Sequence, residues 1–173
     1  MLDFHPFVVG FAVALLSVSV LFDILAIATD RPHLQTVGWW NLFLGFFAAL
    51  FAVITGLYAK NSAIFTDGVH TVLGYHQYLG IITAGIFTVL FIWRSSMNRE
   101  IRQKWRILYL TVAIIGTITL LTTGFLGGQM VFEHGANVRE VKELQQKIEQ
   151  LQKSDDARMK DQEPKVKSQK NSP

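Results

Sequence analysis

Residues Ile107 to Leu126 read ILYLTVAIIGTITLLTTGFL, and Gly127 to Gly135 continue GGQMVFEHG. The first stretch is twenty residues without a charge. At a helical rise of about 1.5 Å per residue it spans about 30 Å, the thickness of the hydrocarbon core of a bilayer. The second stretch is where that run meets water. It carries a double glycine, an aromatic residue, Glu133 and His134 in nine positions. A transmembrane helix that ends on a histidine sets the two questions of the chain: how many such helices there are, and what else arrives at that level.

Three further apolar runs precede it, so the predicted helices cover about 7–29, 39–58, 69–93 and 107–132. The fold predicted is all-α: a four-helix transmembrane bundle over residues 1–135, followed by a polar tail over 136–173. The chain is 50% hydrophobic and 17% charged, and the tail dilutes an N-terminal part that holds nearly all the apolar mass. There is no cysteine, which excludes disulfides, thiolate metal sites, iron–sulfur clusters and thiol nucleophiles. The net charge of +3 comes from Lys and Arg beside the apolar runs and in the tail. With no basic, aromatic-studded soluble face, nucleic acid is not an expected partner. The lipid bilayer is. The first residues lack the basic start and small-residue cleavage site of a leader, so the first run is expected to be retained.

Pro6 suits the first turn of helix one, and Arg31-Pro32 is expected to end it. Arg94, Arg99, Arg102, Lys104 and Arg106 cluster between helices three and four. By the positive-inside rule this loop is cytoplasmic, both termini lie outside, and the protein is a multi-pass component of the inner (plasma) membrane. Trp39, Trp40, Tyr58, Trp93 and Trp105 fall at run ends and are expected at headgroup level. Ala48, Ala52 and Gly56, with Gly45 and Ala49 beside them, and Thr119, Thr123 and Gly127 repeat at the spacing that lets helix backbones approach closely. In the tail, Val141, Leu144, Ile148 and Leu151 take a and d positions of two heptads, predicting a short helix over about 138–153 that pairs with copies of itself or lies on the membrane. The remainder after Lys153 reads as disordered.

On this topology His5, His70, His76 and His134 arrive at one membrane level, and only His33 lies at the other. Neutral imidazole is the commonest ligand of haem iron and of several divalent metals, and four-helix bundles build such sites from facing helices. The functional expectation is one b-type haem with two axial histidines drawn from His5, His76 and His134, with His70 in reserve, or one metal ion held by His5, His76 and His134. The bland reading has each histidine bonding water, headgroups or helix ends. Glu133 stands next to His134 as its orienting carboxylate. Asp23 is the one acid well inside an apolar run. An intramembrane carboxylate suggests function by default, and here a structural bond to Arg31, Arg106, Asn41 or a serine or threonine is the expectation. No nucleophile triad, phosphate loop or paired carboxylates occur, so no catalytic residues are expected.

His5-Pro6-Phe7-Val8-Val9, followed by Phe22-Asp23-Ile24-Leu25-Ala26, then Tyr75-His76-Gln77-Tyr78-Leu79-Gly80 and Gly127 to Val138 together resemble the DUF2231 family of small bacterial membrane proteins. The resemblance covers residues 1 to about 138, and the closing Gly-Gly…His-Gly motif is its most specific part. This chain departs from it at Gly10, where many members carry a second histidine, and at Phe132, where tyrosine is usual. Some members are fused to Rieske-type domains. With the cytochrome-b-like architecture, this implies membrane electron transfer and a redox partner protein. The alternative class is a scaffold or transporter-like accessory subunit without cofactor.

Overall fold

A computed structural model describes residues 4–62, 69–97, 101, 103–132, 143–144, 146–156 and 158–159, apart from the side chains of 60–62, 69 and 70. The chain divides into two units, 1–134 and 135–173. The first holds four helices: α1 (His5–Ala28), α2 (His33–Ser62), α3 (Val69–Ser96) and α4 (Arg106–Phe132), the last preceded by a 3₁₀ turn at Gln103–Trp105. All four contain a segment long and apolar enough to cross a membrane. No strand occurs among the described residues.

Helix α1 opens with Pro6 in its first turn, where the missing N–H costs nothing. It closes at Thr29 with Arg31 N–H bonded back to Ala26 O at 3.1 Å and Asp30 in the left-handed region at φ 53°. That six-to-one bond around a left-handed residue is a Schellman stop. Pro32 ends one helix and precedes the next, so α2 begins at His33, six residues before the apolar run at Trp39 that marked it in the sequence. A four-residue link forces α1 and α2 into an antiparallel hairpin. α3 and α4 form the second hairpin. The helices pack as a ring, α1 on α2, α2 on α3, α3 on α4 and α4 on α1, which puts α1 and α3 on one diagonal.

The outside of this ring is greasy and its inside is mixed. Phe7, Phe11, Phe47, Tyr78, Ile107, Ile118 and Phe125 are exposed, whereas Ser19, Asp23, Thr83, Arg94 and Thr123 are buried. Water would invert that arrangement; a bilayer accepts it, since lipid is as apolar as leucine. Between the two polar ends lies an apolar layer of Leu16, Leu42, Phe87 and Leu90, each fully enclosed. On the α2–α3 side Phe91 stacks between Phe46 at 4.4 Å and Trp39 at 5.6 Å. Trp39 is therefore a core residue, not a headgroup anchor; Trp40, half exposed beside it, keeps the outward place.

The hairpin α1–α2 closes on glycine. A Cβ on Gly45 would meet Leu16 Cδ2 at 2.7 Å, and one on Gly56 would meet the His5 ring at 2.9 Å. At Gly38 it would collide with Asp23 Oδ1 and come within 3.2 Å of Ser19 O. Ser19 adds a hydroxyl bond to Gly38 O at 2.8 Å. Gly38→Ala is expected to destabilise the bundle by about 1–3 kcal/mol, the cost of overpacking a filled contact. Gly10→Ala and Gly85→Ala, where nothing lies within 4 Å, are expected to be neutral or stabilising, because alanine is the better helix former. Melting curves in detergent give the signs, and equal behaviour of all three would contradict the packing.

In the second unit, residues 146–156 are helical, with Leu144, Ile148 and Leu151 exposed. The helix runs past Lys153, and 158–159 are helical as well, because no glycine or proline interrupts this stretch. Residues 154–156 and 158–159 are thus not the disorder the composition suggested. Val141 lies outside the described residues.

Candidate functional site

Two polar clusters sit at opposite ends of the bundle. At the end where α3 closes, Arg94 turns inward instead of joining the loop charges. Its side chain and that of Asp23 are both fully buried, with Nη1 at 2.5 Å from Oδ2. Tyr109 donates its hydroxyl to the same oxygen at 3.2 Å. Arg94 Nη2 donates to Gln35 O at 2.5 Å, and Gln35 Oε1 accepts the Ile101 N–H at 3.0 Å. One guanidinium thus ties together α1, the first turn of α2, α3 and α4, and Gln35 ties in the segment that leads into α4. The partner of Asp23 is Arg94; the pairing expected from sequence with Arg31, Arg106 or Asn41 is not the one formed. An arginine suits this task, because its planar fork serves a carboxylate and a carbonyl at once.

At the other end the rings of His5 on α1 and His76 on α3 meet across the diagonal. Their centroids are 6.3 Å apart and their planes at 89°. Each ring lies against a glycine of its own hairpin. His5 sits on Gly56, and a Cβ on Gly127 would stand 3.2 Å from His76 Cε1. His76 Nδ1 is 2.9 Å from Thr123 O. A carbonyl only accepts, so His76 Nδ1 carries the proton and Nε2 the lone pair. His5 Nδ1 is 3.1 Å from Thr55 Oγ1. That hydroxyl has Phe51 O at 2.9 Å and Ala52 O at 3.1 Å for its own proton. It therefore accepts from His5, whose Nε2 is again the lone-pair nitrogen. Engagement of one ring N–H by a carbonyl or hydroxyl is the arrangement that orients a metal-ligating histidine and sets its tautomer.

Two imidazoles are the donors that could serve a metal here. A coordinating nitrogen stands about 2.0–2.1 Å from the ion and its ring centre about 1 Å farther, so two imidazoles on opposite sides of one ion have centres about 6 Å apart. The observed 6.3 Å at 89° has that length, and it is equally the length of an edge-to-face ring contact. Among the described residues no third histidine, cysteine or carboxylate joins them. His70 falls in the first turn of α3 with its side chain outside the described residues, and Glu133 and His134 lie outside them altogether. The geometry therefore brings together His5 and His76 of the predicted set. It places Asp23 in a different cluster, at the opposite end.

Thr55 and Thr123 were not anticipated as partners of the histidines. Thr123 was legible only as a small residue in a packing stripe. Arg94 was hidden by its position beside the loop. A spacing betrays it: His76 to Arg94 is eighteen residues, as is His5 to Asp23, and eighteen residues are five helical turns. Both polar pairs consequently lie on one face of their helices, about 27 Å apart along the axis.

A family model described as predicted membrane protein (DUF2231) matches residues 2–140. No curated protein and no solved structure matches the chain.

Proposed function

The chain belongs to the DUF2231 family of predicted membrane proteins, and on that premise we propose that it is a redox-associated membrane subunit holding one b-type haem between His5 and His76. The observation that carries this reading is the paired imidazoles, each oriented through its Nδ1, His5 by the Thr55 hydroxyl and His76 by the Thr123 carbonyl. Haem iron asks the protein for one or two ligands, whereas structural zinc takes four and catalytic zinc three. Two imidazoles on diagonal helices suit the first demand. Such a centre supplies one-electron transfer.

The chain's own residues do the rest. Thr55 and the Thr123 carbonyl hold the rings in place. Gly56 and Gly127 give the rings room against α2 and α4. The enclosed layer of Leu16, Leu42, Phe87 and Leu90 separates the site from the Asp23–Arg94 end. The positive-inside bias of the loop between α3 and α4 supports an outward-facing histidine end, where a redox partner protein would exchange electrons with it.

A second reading has an observation of its own. The rings meet edge to face and fill each other's space, as a polar lock would, matching the ion pair at the far end. The protein is then a scaffold or accessory subunit without cofactor.

An absorption spectrum of detergent-purified protein, oxidised and then dithionite-reduced, separates the two. The expected result is a Soret band with sharp α and β bands on reduction. A featureless spectrum after expression with ample haem leaves the scaffold standing, and elemental analysis then looks for a colourless ion at the three-histidine set His5, His76 and His134.

A further inference from the structure

We infer that the bundle is two copies of one helical hairpin, offset by 71 residues and related by a two-fold axis along the bundle, and that His5 and His76 form a symmetric site on that axis in which one metal centre is taken by two equivalent imidazoles. The ligand clause rests on the haem reading above; the duplication rests on packing alone.

Four sets of contacts share the offset. His5 pairs with His76, and Asp23 with Arg94. The His5 ring lies on Gly56, and the His76 ring on Gly127. Leu15 and Leu16 pack on Gly45, where a Cβ would come as close as 2.7 Å, while Ile86 and Phe87 pack on Gly116, where it would come as close as 2.8 Å. In every case the second member lies 71 positions after the first. The Nδ1 partners agree as well. His76 bonds the carbonyl four residues before Gly127. His5 bonds the Thr55 hydroxyl, which in turn reaches the carbonyl four residues before Gly56. Around the ring, α4 lies against α1 as α2 lies against α3.

A residue that touches its own counterpart lies on a two-fold axis, as in any isologous interface. Two such pairs, His5–His76 and Asp23–Arg94, mark the axis at both ends. Parallel repeats about an axis along the membrane normal are an established architecture for bundles. The hairpins share few identities at this offset, among them His5/His76, Gly45/Gly116 and Gly56/Gly127. These three fall at the contacts; others, such as Val18/Val89 and Leu50/Leu121, lie on the lipid side, where Val89, Leu50 and Leu121 are exposed.

The two ends of the axis face different chemistry. A strict repeat at position 23 would set carboxylate against carboxylate or guanidinium against guanidinium, buried and uncompensated. Only unlike copies neutralise each other there, and fusion into one chain permits it. Gly38 and Tyr109, also 71 apart, diverged around the same pair. Imidazole against imidazole carries no such penalty, and a metal centre with two like ligands requires the residue on both copies.

The test is a circular permutant of the full chain. It starts at Val69, runs to His134, continues through a six-residue linker standing in for 63–68 into residues 4–62, and ends with 135–173. Equivalent hairpins predict native helicity and an unchanged melting midpoint. Mirrored variants decide the matter should the permutant not fold. Gly45→Val and Gly116→Val should lower the midpoint by similar shifts, as should Gly56→Val and Gly127→Val. Unequal shifts overturn the duplication. Titration with haem tests the ligand clause, with His5→Ala and His76→Ala each expected to weaken binding at least about tenfold. Loss in one variant only overturns the symmetric site and leaves the duplication standing. If the unaltered protein takes up no haem, the ligand clause falls with the haem reading, and the glycine pairs still decide the duplication.

Discussion

Replacing Arg94 by methionine is expected to cost the bundle about 3–5 kcal/mol, the penalty for leaving one partner of a buried ion pair alone. Methionine fills much of the volume of the arginine stem, so the loss is one of charge and hydrogen bonds. It removes the donor to Asp23 Oδ2 and the donor to Gln35 O together. What stays on Asp23 is the Tyr109 hydroxyl at 3.2 Å. Its other oxygen, Oδ1, faces Gly38 and has no hydrogen-bond partner among the described residues. Asp23→Leu is expected to fail to a similar degree, by stranding the guanidinium. The double variant Asp23→Leu/Arg94→Met should regain most of the loss, because an apolar pair in place of a buried ion pair is commonly neutral or stabilising. Thermal or denaturant unfolding in micelles measures all three. If the double variant loses as much as the two single variants combined, charge compensation is not what the pair supplies, and the Gln35 and Tyr109 bonds carry the stability instead.

The fold was legible because membrane helices announce themselves by length and composition, and four uninterrupted apolar runs leave little choice. What the runs concealed was polarity folded inward. Trp93-Arg94 stands at the end of such a run, and an arginine there counts as a loop charge until its depth is known. Trp39 looked like an anchor for the same reason; Phe91, more than fifty residues away, supplies the face that buries it. The start of α2 was missed because His33 to Gly38 has no apolar periodicity, and the helix there is held by Gln35 and Gly38 contacts that come from α1 and α3. Gly45 and Gly56 stood out within a dense run of small residues. Gly38 and Gly116 stand alone in theirs, and only the partner helix shows why they lack a side chain. The histidines were identified individually, but which two would meet depended on the register of α1 against α3, a long-range quantity that no local pattern encodes.

A His76→Ala protein is expected to lose the haem spectrum almost completely, while its haem-free form melts close to the haem-free parent; the comparison is made without haem because a bound ligand itself raises the midpoint. Both halves follow from the environment of the ring. His76 bonds a carbonyl, Thr123 O, that also belongs to the α4 backbone ladder, so removing the ring strands no buried donor or acceptor there. Its ring packs on Gly127, where an empty volume costs little beside a half-buried position. The coordinating nitrogen, by contrast, has no substitute on α3 among the described side chains. Thr55→Val supplies the graded companion. It keeps His5 but removes the acceptor of its Nδ1–H, 3.1 Å away. The ring can then turn, and its tautomer is no longer set. Loss of such an orienting partner commonly weakens a metal site by about 10–100-fold, so Thr55→Val should retain haem at high concentration and release it on dilution. A purely structural histidine pair predicts the reverse order: His76→Ala lowers the midpoint, Thr55→Val lowers it less, and neither changes a spectrum. Recording the reduced spectrum on haem-loaded protein and the melting curve on haem-free protein distinguishes the two orders directly, because ligation and packing then place the larger effect of the same substitution on different observables.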